Sequence, residues 1–484
     1  MTQLHDLTAL EQAAAVRSGE VSPTELVTHA LRRIQALDAG LGAFITVTPE
    51  RALAAAAAAE RRLRDGGELP PLLGVPTAIK DLTSTAGVPT TFGSRVTADH
   101  VPTVDDAVVT RLAAAGTVSV GKTNTPEFGF PGYTDNDLVG PARCPWDPTL
   151  LAGGSSGGAA VAVAAGFVPF AQGSDGGGSI RIPASVNGLV GLKPARGRVS
   201  NAPLGSEVTG LVTHGPLART VRDAAAMLDA MAGPEVGDPT WAPPLPPGET
   251  FLAAADRAPG RLRIAVFTES PMPDAALEPE IAAALDGAAR LLADLGHDVE
   301  EAPAGLLGPD VLPAFERVWA LSGATLQVPP ERVGELRPLT RELRARGLAL
   351  SARDALESLA TLRSFARGFL RATGDYDVLL APVTTMTARP VGWFDADGDG
   401  AADFERNERY AAFPALSNVT GQPAVSLPLH WTAGGLPVGT MLAGRPADEA
   451  TLISLSAQLE EARPWAARHP AAWGARRAER QGCR

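Results

Sequence analysis

Apolar positions near the start of the chain recur with a helical period. Leu26, Ala30 and Leu31 fall on one side of a helix, and Ser22-Pro23-Thr24-Glu25 supplies a capping serine, a proline in the first turn and a glutamate three residues on. A second helix opens at Thr48-Pro49-Glu50, passes through the alanine-rich run 52–59 and stops near Gly66-Gly67, where glycine can adopt a left-handed cap. From Leu73 the pattern shifts to short apolar runs bounded by Gly and Pro, at 74–79, 117–120, 167–171 and 189–192. Helix-like stretches lie between them at 106–115 and 156–165. Short buried strands alternating with helices predict an α/β fold: one large domain around a mixed, mostly parallel twisted sheet with helices on both faces. Later strands are expected at 262–267, 378–381 and 424–427, and helices at 221–231, 279–295, through 307–373, and at 449–461. The Pro-rich stretch 239–247 reads as a surface excursion and 475–484 as a charged tail.

Composition narrows the partners. Hydrophobic residues make up 45% of the 484, enough for a sizeable core. The net charge of −12, without any basic cluster, argues against nucleic acid. Two cysteines, Cys144 and Cys483, cannot build a disulfide framework, which fits a reducing, cytoplasmic setting. The N-terminus has no basic, apolar signal pattern, and the apolar stretch 159–171 is interrupted by Gly166 and Pro169 and too short to span a membrane. A small-molecule ligand and a monomer or homodimer are expected.

Candidate chemistry is densest over 153–194: Gly-Gly-Ser-Ser-Gly-Gly at 153–158, Asp-Gly-Gly-Gly-Ser at 175–179, then Ile180-Arg181-Ile182-Pro183 and Gly191-Leu192-Lys193-Pro194. Consecutive glycines before a serine can present backbone N–H groups to an oxyanion, or they can simply form a flexible turn. The phosphate-loop pattern is missing, since Gly121-Lys122-Thr123 lacks the earlier glycine. Gly153-Gly154-Ser155-Ser156-Gly157 also satisfies Gly-x-Ser-x-Gly, but the preceding 144–149 is rich in turn residues where a nucleophile elbow needs a strand. His214, His297, His430 and His469 occupy no distinctive setting. Lys80 follows the strand-like run 75–79 and shares a pleat face with Pro76 and Ala78. It either reaches water at the strand end or is buried, in which case its pKa of ~10.4 can fall by up to about 3–5 units, leaving an amine able to accept a proton.

Taken together, the residues of 153–194 resemble the signature segment of the amidase signature family. Lys80, Ser155 and Ser179 match its catalytic positions in residue type and spacing. Leu73-Gly74-Val75-Pro76, Gly121-Lys122-Thr123-Asn124, the stretch 214–220 and Asn418-Val419-Thr420-Gly421-Gln422-Pro423 look like further landmarks, and 300–375 matches least. The resemblance implies an amidase acting on carbon–nitrogen bonds, with Ser179 as nucleophile, Ser155 in a cis peptide as relay, Lys80 as base, and neither cofactor nor metal. Backbone groups of Gly176, Gly177 and Gly178, with Ser179, become the expected oxyanion hole. Gly176 departs from the larger residue common in the family, which suggests a looser loop or a wider acyl pocket. Asp175 and Arg181 are expected to brace the loop, Ser156 to cap a helix, and Cys144 and His214 to be structural. Tyr133 and Asn136 are candidate substrate contacts. The amidase domain would cover 1–484, with a catalytic core at 73–220 and a variable helical cover over the pocket at 300–375. Landmarks at 182–186 and around Asn418 look closest to the nylon-oligomer hydrolases, pointing to a hydrophobic linear, aryl or cyclic amide, with esters or carbamates as further substrates. The alternative is a glutamine amidotransferase subunit acting within an assembly.

Overall fold

Ser22 opens the helix Pro23–Leu37 with a reciprocal cap, its hydroxyl accepting the Glu25 N–H while its own N–H donates to the Glu25 carboxylate at 2.9 Å. The next helix, Pro49–Asp65, ends at Gly66 as the glycine pair suggests, although Thr48 makes no side-chain cap. The structure, a computed structural model, describes residues 3–203, 205, 208–272 and 275–474. The expected tail at 475–484, with Cys483, lies outside the described residues.

The described strands are β1 (Phe44–Val47), β2 (Pro76–Lys80), β3 (Val118–Thr123), β4 (Phe170–Asp175), β5 (Val190–Lys193), β6 (Thr213–Ala218), β7 (Arg263–Val266), β8 (Asp298–Glu301), β9 (Val378–Pro382), β10 (Ala424–Trp431) and β11 (Pro437–Gly444). A small sheet runs β1-β3-β2 and a large one β4-β6-β5-β10-β11-β9-β7-β8. The large sheet is mixed and flanked by helices, as expected. Its pairings, however, are mainly antiparallel: only β7–β8 and β7–β9 run parallel within it. Two connections explain the difference. The helix Arg181–Asn187 carries the chain from β4 across to β5, but β6 fills the gap between them antiparallel to both. β10 and β11 form a hairpin through residues 432–436, too short for the crossover that parallel strands require.

Period-two burial assigns the central strands to two cores. Val378 and Leu380 of β9, Val425 and Leu427 of β10 and Leu442 of β11 face one cluster, which also holds apolar residues from the helices Val221–Met231 and Glu449–Ala462. Their alternates Leu379, Ala381, Ala424, Met441 and Ala443 face another, completed by Phe369, Tyr410 and Phe413. β6 contains Gly215 and Pro216, an unpromising strand by composition. Its ladder with β5 covers only Leu217 and Ala218, so Pro216 is paired on the β4 side alone. The helical run expected at 307–373 divides into Val311–Ala324, Pro338–Ala349 and Ala352–Ala372. Pro338 enters the first turn of the second, and Ser351 caps the third.

The edge strands β2 and β4 meet side by side, which positions the site. No backbone ladder joins them among the described residues. Side chains do so instead: Gln172 Oε1 accepts the Lys80 N–H at 2.9 Å, and Thr77 Oγ1 donates to the Phe170 carbonyl at 3.3 Å. The lysine at the end of one sheet is thereby fixed against the end of the other.

Candidate active site

The Lys80 side chain is fully buried. Its Nζ lies 2.8 Å from Ser155 Oγ, 3.1 Å from Ser174 Oγ and 3.4 Å from the Ser174 carbonyl. Burial pushes its pKa down to about 7, against the pull of the Asp175 carboxylate. Ser155 is nearly sealed, and its peptide bond with Gly154 is cis. Gly154 has no room for a side chain, because a Cβ there would lie 2.4 Å from the Tyr133 carbonyl. Thr125 Oγ1 donates to the Ser155 carbonyl at 3.2 Å, holding the next peptide, between Ser155 and Ser156.

Ser179 follows the glycine run at the end of β4 and retains 7% exposure. Its carbonyl accepts the Ser156 N–H at 3.1 Å, which ties the two serine-bearing segments together. Among the described residues no hydrogen bond links the Ser155 and Ser179 hydroxyls. Ser156 begins the helix Gly157–Ala164 without a side-chain cap; its hydroxyl instead donates to the Ser174 carbonyl at 3.1 Å. The expected cap is therefore corrected to a strut between the serine loop and β4.

A buried ionic network supports the glycine loop. Arg181 lies 2.8 Å from Asp175 Oδ1, and both side chains have 0% exposure. Burial alone would raise the Asp175 pKa, but Arg181, Lys193 and Asn418 together hold it well below the carboxylate range. Asn418 donates to Asp175 Oδ1 at 2.9 Å and accepts from Arg181 at 2.6 Å. The same carboxylate accepts the Gly178 N–H at 2.8 Å and the Ile180 N–H at 3.1 Å. This removes Gly178 from the expected oxyanion donors. The N–H groups of Gly176, Gly177 and Ser179 have no acceptor among the described residues. Gly178 remains necessary for its backbone, with φ at +128° and a would-be Cβ 2.7 Å from Pro414.

The remaining candidates separate. His214 is buried with Nδ1 2.9 Å from Gln172 Nε2, and burial beside Lys80 pushes its pKa down to about 4. Cys144 is buried and its thiol is pushed up to about 11 by desolvation, so it packs as a small unreactive residue. Asn136 donates to Asn124 and to the Thr125 carbonyl and accepts the N–H groups of Leu138 and Val139, which engages its amide within its own loop. Tyr133 donates to Asp403 at 2.8 Å and stacks on Phe394.

Gly176 does not widen the pocket as its small size suggests. A Cβ there would lie 3.1 Å from Val212 and 3.3 Å from the Trp319 ring, so the helix Val311–Ala324 fills the space a larger residue would take. Phe315 stacks on Trp319 at 5.6 Å and Phe130 meets it edge-on at 6.4 Å. Phe128 and Phe130 flank Gly129, where a Cβ would lie 3.3 Å from Ser155 Oγ. An aromatic wall thus runs from beside Ser155 to above the glycine loop, and sequence reasoning missed it. The available signal was Phe128-Gly129-Phe130 in a chain only 5% aromatic; nothing local linked it to Trp319. Ser174 and Gln172 were also missed, because β4 begins at Phe170, later than the apolar run 167–171 suggested, and continues through polar residues.

The amidase family profile matches residues 25–453. The chain belongs to the amidase family. This amidase is 38% identical over 490 aligned residues to the 6-aminohexanoate-cyclic-dimer hydrolase of Paenarthrobacter ureafaciens, covering 96% of each chain. Its fold is similar to that of a 6-aminohexanoate cyclic dimer hydrolase complexed with substrate, with a TM-score of 0.89 and 34% identity over 98% of this chain and all of that one. A bacterial aryl acylamidase of the amidase signature family gives a TM-score of 0.88 at 28% identity, over 98% of this amidase and 100% of the other chain. Family and relatives establish a hydrolase acting on carbon–nitrogen bonds. Among the described residues no helix is long and apolar enough to cross a membrane.

Proposed function

We propose that this amidase cleaves hydrophobic small-molecule carboxamides, linear, aryl or cyclic, through an acyl-enzyme on Ser179. The observation that carries the reading is Lys80, a fully buried amine with its pKa lowered to about 7 and Nζ 2.8 Å from Ser155 Oγ. A neutral amine has one lone pair. With two N–H groups directed at the Ser174 hydroxyl and carbonyl, that lone pair faces Ser155.

In the proposed reaction Ser179 Oγ attacks the carbonyl carbon, its proton passes to Ser155, and the Ser155 proton passes to Lys80. The developing oxyanion is received by the N–H groups of Gly176, Gly177 and Ser179. Collapse breaks the C–N bond as the relay returns a proton to the leaving amine. Water, deprotonated by the same relay, then releases the acid and frees Ser179. The relay contact between the two serines closes with substrate bound, in keeping with the loose geometry of empty active sites. Phe128, Phe130, Phe315 and Trp319 provide the apolar wall for the substrate, and the helices of 311–372 act as the cover.

A fluorophosphonate probe followed by peptide mapping tests the assignment. The expected adduct is on Ser179, lost in Ser179→Ala and strongly slowed in Lys80→Met. An adduct on Ser155, or full amide hydrolysis by Lys80→Met, would overturn it.

A further inference from the structure

Gln172 is fully buried on β4, and every hydrogen-bonding position of its amide is taken. Its Oε1 accepts the Lys80 N–H at 2.9 Å and the Thr83 hydroxyl at 3.3 Å. Its Nε2 donates to the Gly173 carbonyl and to His214 Nδ1, each at 2.9 Å. The Thr83 N–H in turn donates to the Lys80 carbonyl at 3.0 Å, so the amide holds the first and last residues of the turn that leaves β2.

Two main-chain groups settle which way the amide points. Flipped, it would set N–H against the Lys80 N–H and oxygen against the Gly173 carbonyl. Nε2 therefore faces His214, whose Nδ1 must accept, and the ring carries its proton on Nε2. A second ring proton would have to enter at Nδ1 and break the contact. Burial first, and the nearby Lys80 second, push the His214 pKa down to about 4, so at neutral pH the ring stays neutral.

One face of β4 thus meets Lys80 twice. Gln172 and Ser174 alternate onto that face, and β6 sets His214 opposite Ser174. Gln172 holds the main chain of the lysine, while the Ser174 hydroxyl lies 3.1 Å from its amine. A carboxylate would supply the same acceptor and also favour the ammonium, whereas the amide adds no charge. We infer that Gln172 and His214 are positioning residues for amide hydrolysis: the neutral ring locks the amide, and the locked amide fixes Lys80 with its amine dry and directed at Ser155. The clamp rests on the reading of Lys80 as the base and states what keeps that base in place. Asp175 at the end of β4 favours the ammonium, and Asp81, next to Lys80, is engaged by Lys122 at 3.7 Å. Burial outweighs the Asp175 pull on the amine, so the low pKa of Lys80 depends on keeping water out.

Two substitutions at His214 test the clamp. His214→Leu removes the acceptor, and His214→Asn returns an oxygen near the place of Nδ1. On an anilide the leucine variant should lose roughly ten- to a hundred-fold in kcat with little change in KM. The midpoint of its kcat/KM profile should rise from about 7 towards roughly 8 as water reaches the amine, and the asparagine variant should recover most of both effects. Wild-type kinetics in the leucine variant, a loss that leaves the midpoint in place, or asparagine no better than leucine would overturn the clamp. Hydrogen exchange at the Lys80 amide gives a readout without turnover. Protection in wild type and His214→Asn that is lost in His214→Leu supports the clamp even if hydrolysis uses another base, an outcome that would count against the catalytic reading alone. Equal exchange in all three proteins would refute it. Nitrogen chemical shifts of the His214 ring need no variant: a proton on Nε2 supports the lock, and one on Nδ1 would refute it.

Discussion

The glycine loop and the cover helix Val311–Ala324 face each other across the site, and they are built on different physics. The loop is held by charge: Asp175, Arg181 and Asn418 are fully buried or nearly so, with donors and acceptors matched one to another. The helix is held by apolar contacts, with Val318 and Ala320 inward and Phe315 and Trp319 half-buried towards the loop. Directional bonds tolerate little displacement, whereas ring packing accommodates shifts and substitutions. Under the proposed mechanism the chemistry belongs on the loop side and the choice of substrate on the helix side.

Replacing Ser179, the proposed nucleophile, breaks this comparison most severely. Ser179→Ala should lower kcat/KM on an amide substrate by about 10⁶-fold without changing the melting temperature, because the hydroxyl is not part of the bracing network. A residual rate near that of wild type would move the nucleophile elsewhere. Breaking the brace should act on stability first. Arg181→Met leaves Asp175 buried without its cation and should cost about 3–5 kcal/mol in urea unfolding, with activity falling in parallel. A variant with wild-type stability would mean that the ionic network is not what holds the loop.

Acidity provides a milder perturbation. Lys80 accepts a proton only when neutral, so kcat/KM should rise about tenfold per pH unit up to about 7 and level off above it. Lys193 is a second buried lysine with its pKa lowered to about 7. Lys193→Met should leave the midpoint in place; a midpoint that disappears with Lys193 would reassign the base. The smallest effect is expected on the cover side. Trp319→Ala should change kcat/KM for a short-chain amide by less than about tenfold and shift preference towards bulkier acyl groups, measured on a graded anilide series. A loss as large as that of Ser179→Ala would place the ring in the chemistry and erase the distinction between the two sides.

Legibility in the sequence follows the same division. Lys80 and Ser155 were singled out through the family resemblance, since the residues alone left Lys80 open between burial and water, and the pairing of Asp175 with Arg181 was expected from the same glycine-rich segment. The helix caps at Ser22 and Ser351 were encoded within four residues, and the Ser22 cap was read directly. By contrast β1, β6, β8 and β11 were not anticipated: β1 is a four-residue Phe-Ile-Thr-Val run between two helices that was passed over, whereas β6 contains Gly215 and Pro216, β8 is Asp-Val-Glu-Glu and β11 is interrupted by Gly439 and ends on Gly444, so these three carry no strong strand pattern. Their strand conformation comes from neighbours that lie far away along the chain. The aromatic wall was missed for a related reason, since Phe130 and Trp319 look ordinary until two distant segments bring them within 6.4 Å.

By itself, then, the chain determined its local periods, its caps, its family and the identity of the groups able to do acyl chemistry, all of which depend on residues close together or on a dense motif. Only the tertiary structure decided which of them act together. The Lys80 amine loses its preference for the charged form, as the proposed base requires, because two sheet edges meet and exclude water from it. Gly178 loses its place as an oxyanion donor because Asp175, fixed by Arg181 and Asn418, takes its N–H. Gly176 borders no empty space because Trp319 comes from a helix far along the chain to occupy it. Burial and hydrogen-bond competition are properties of the folded assembly of segments, and no single segment contains them.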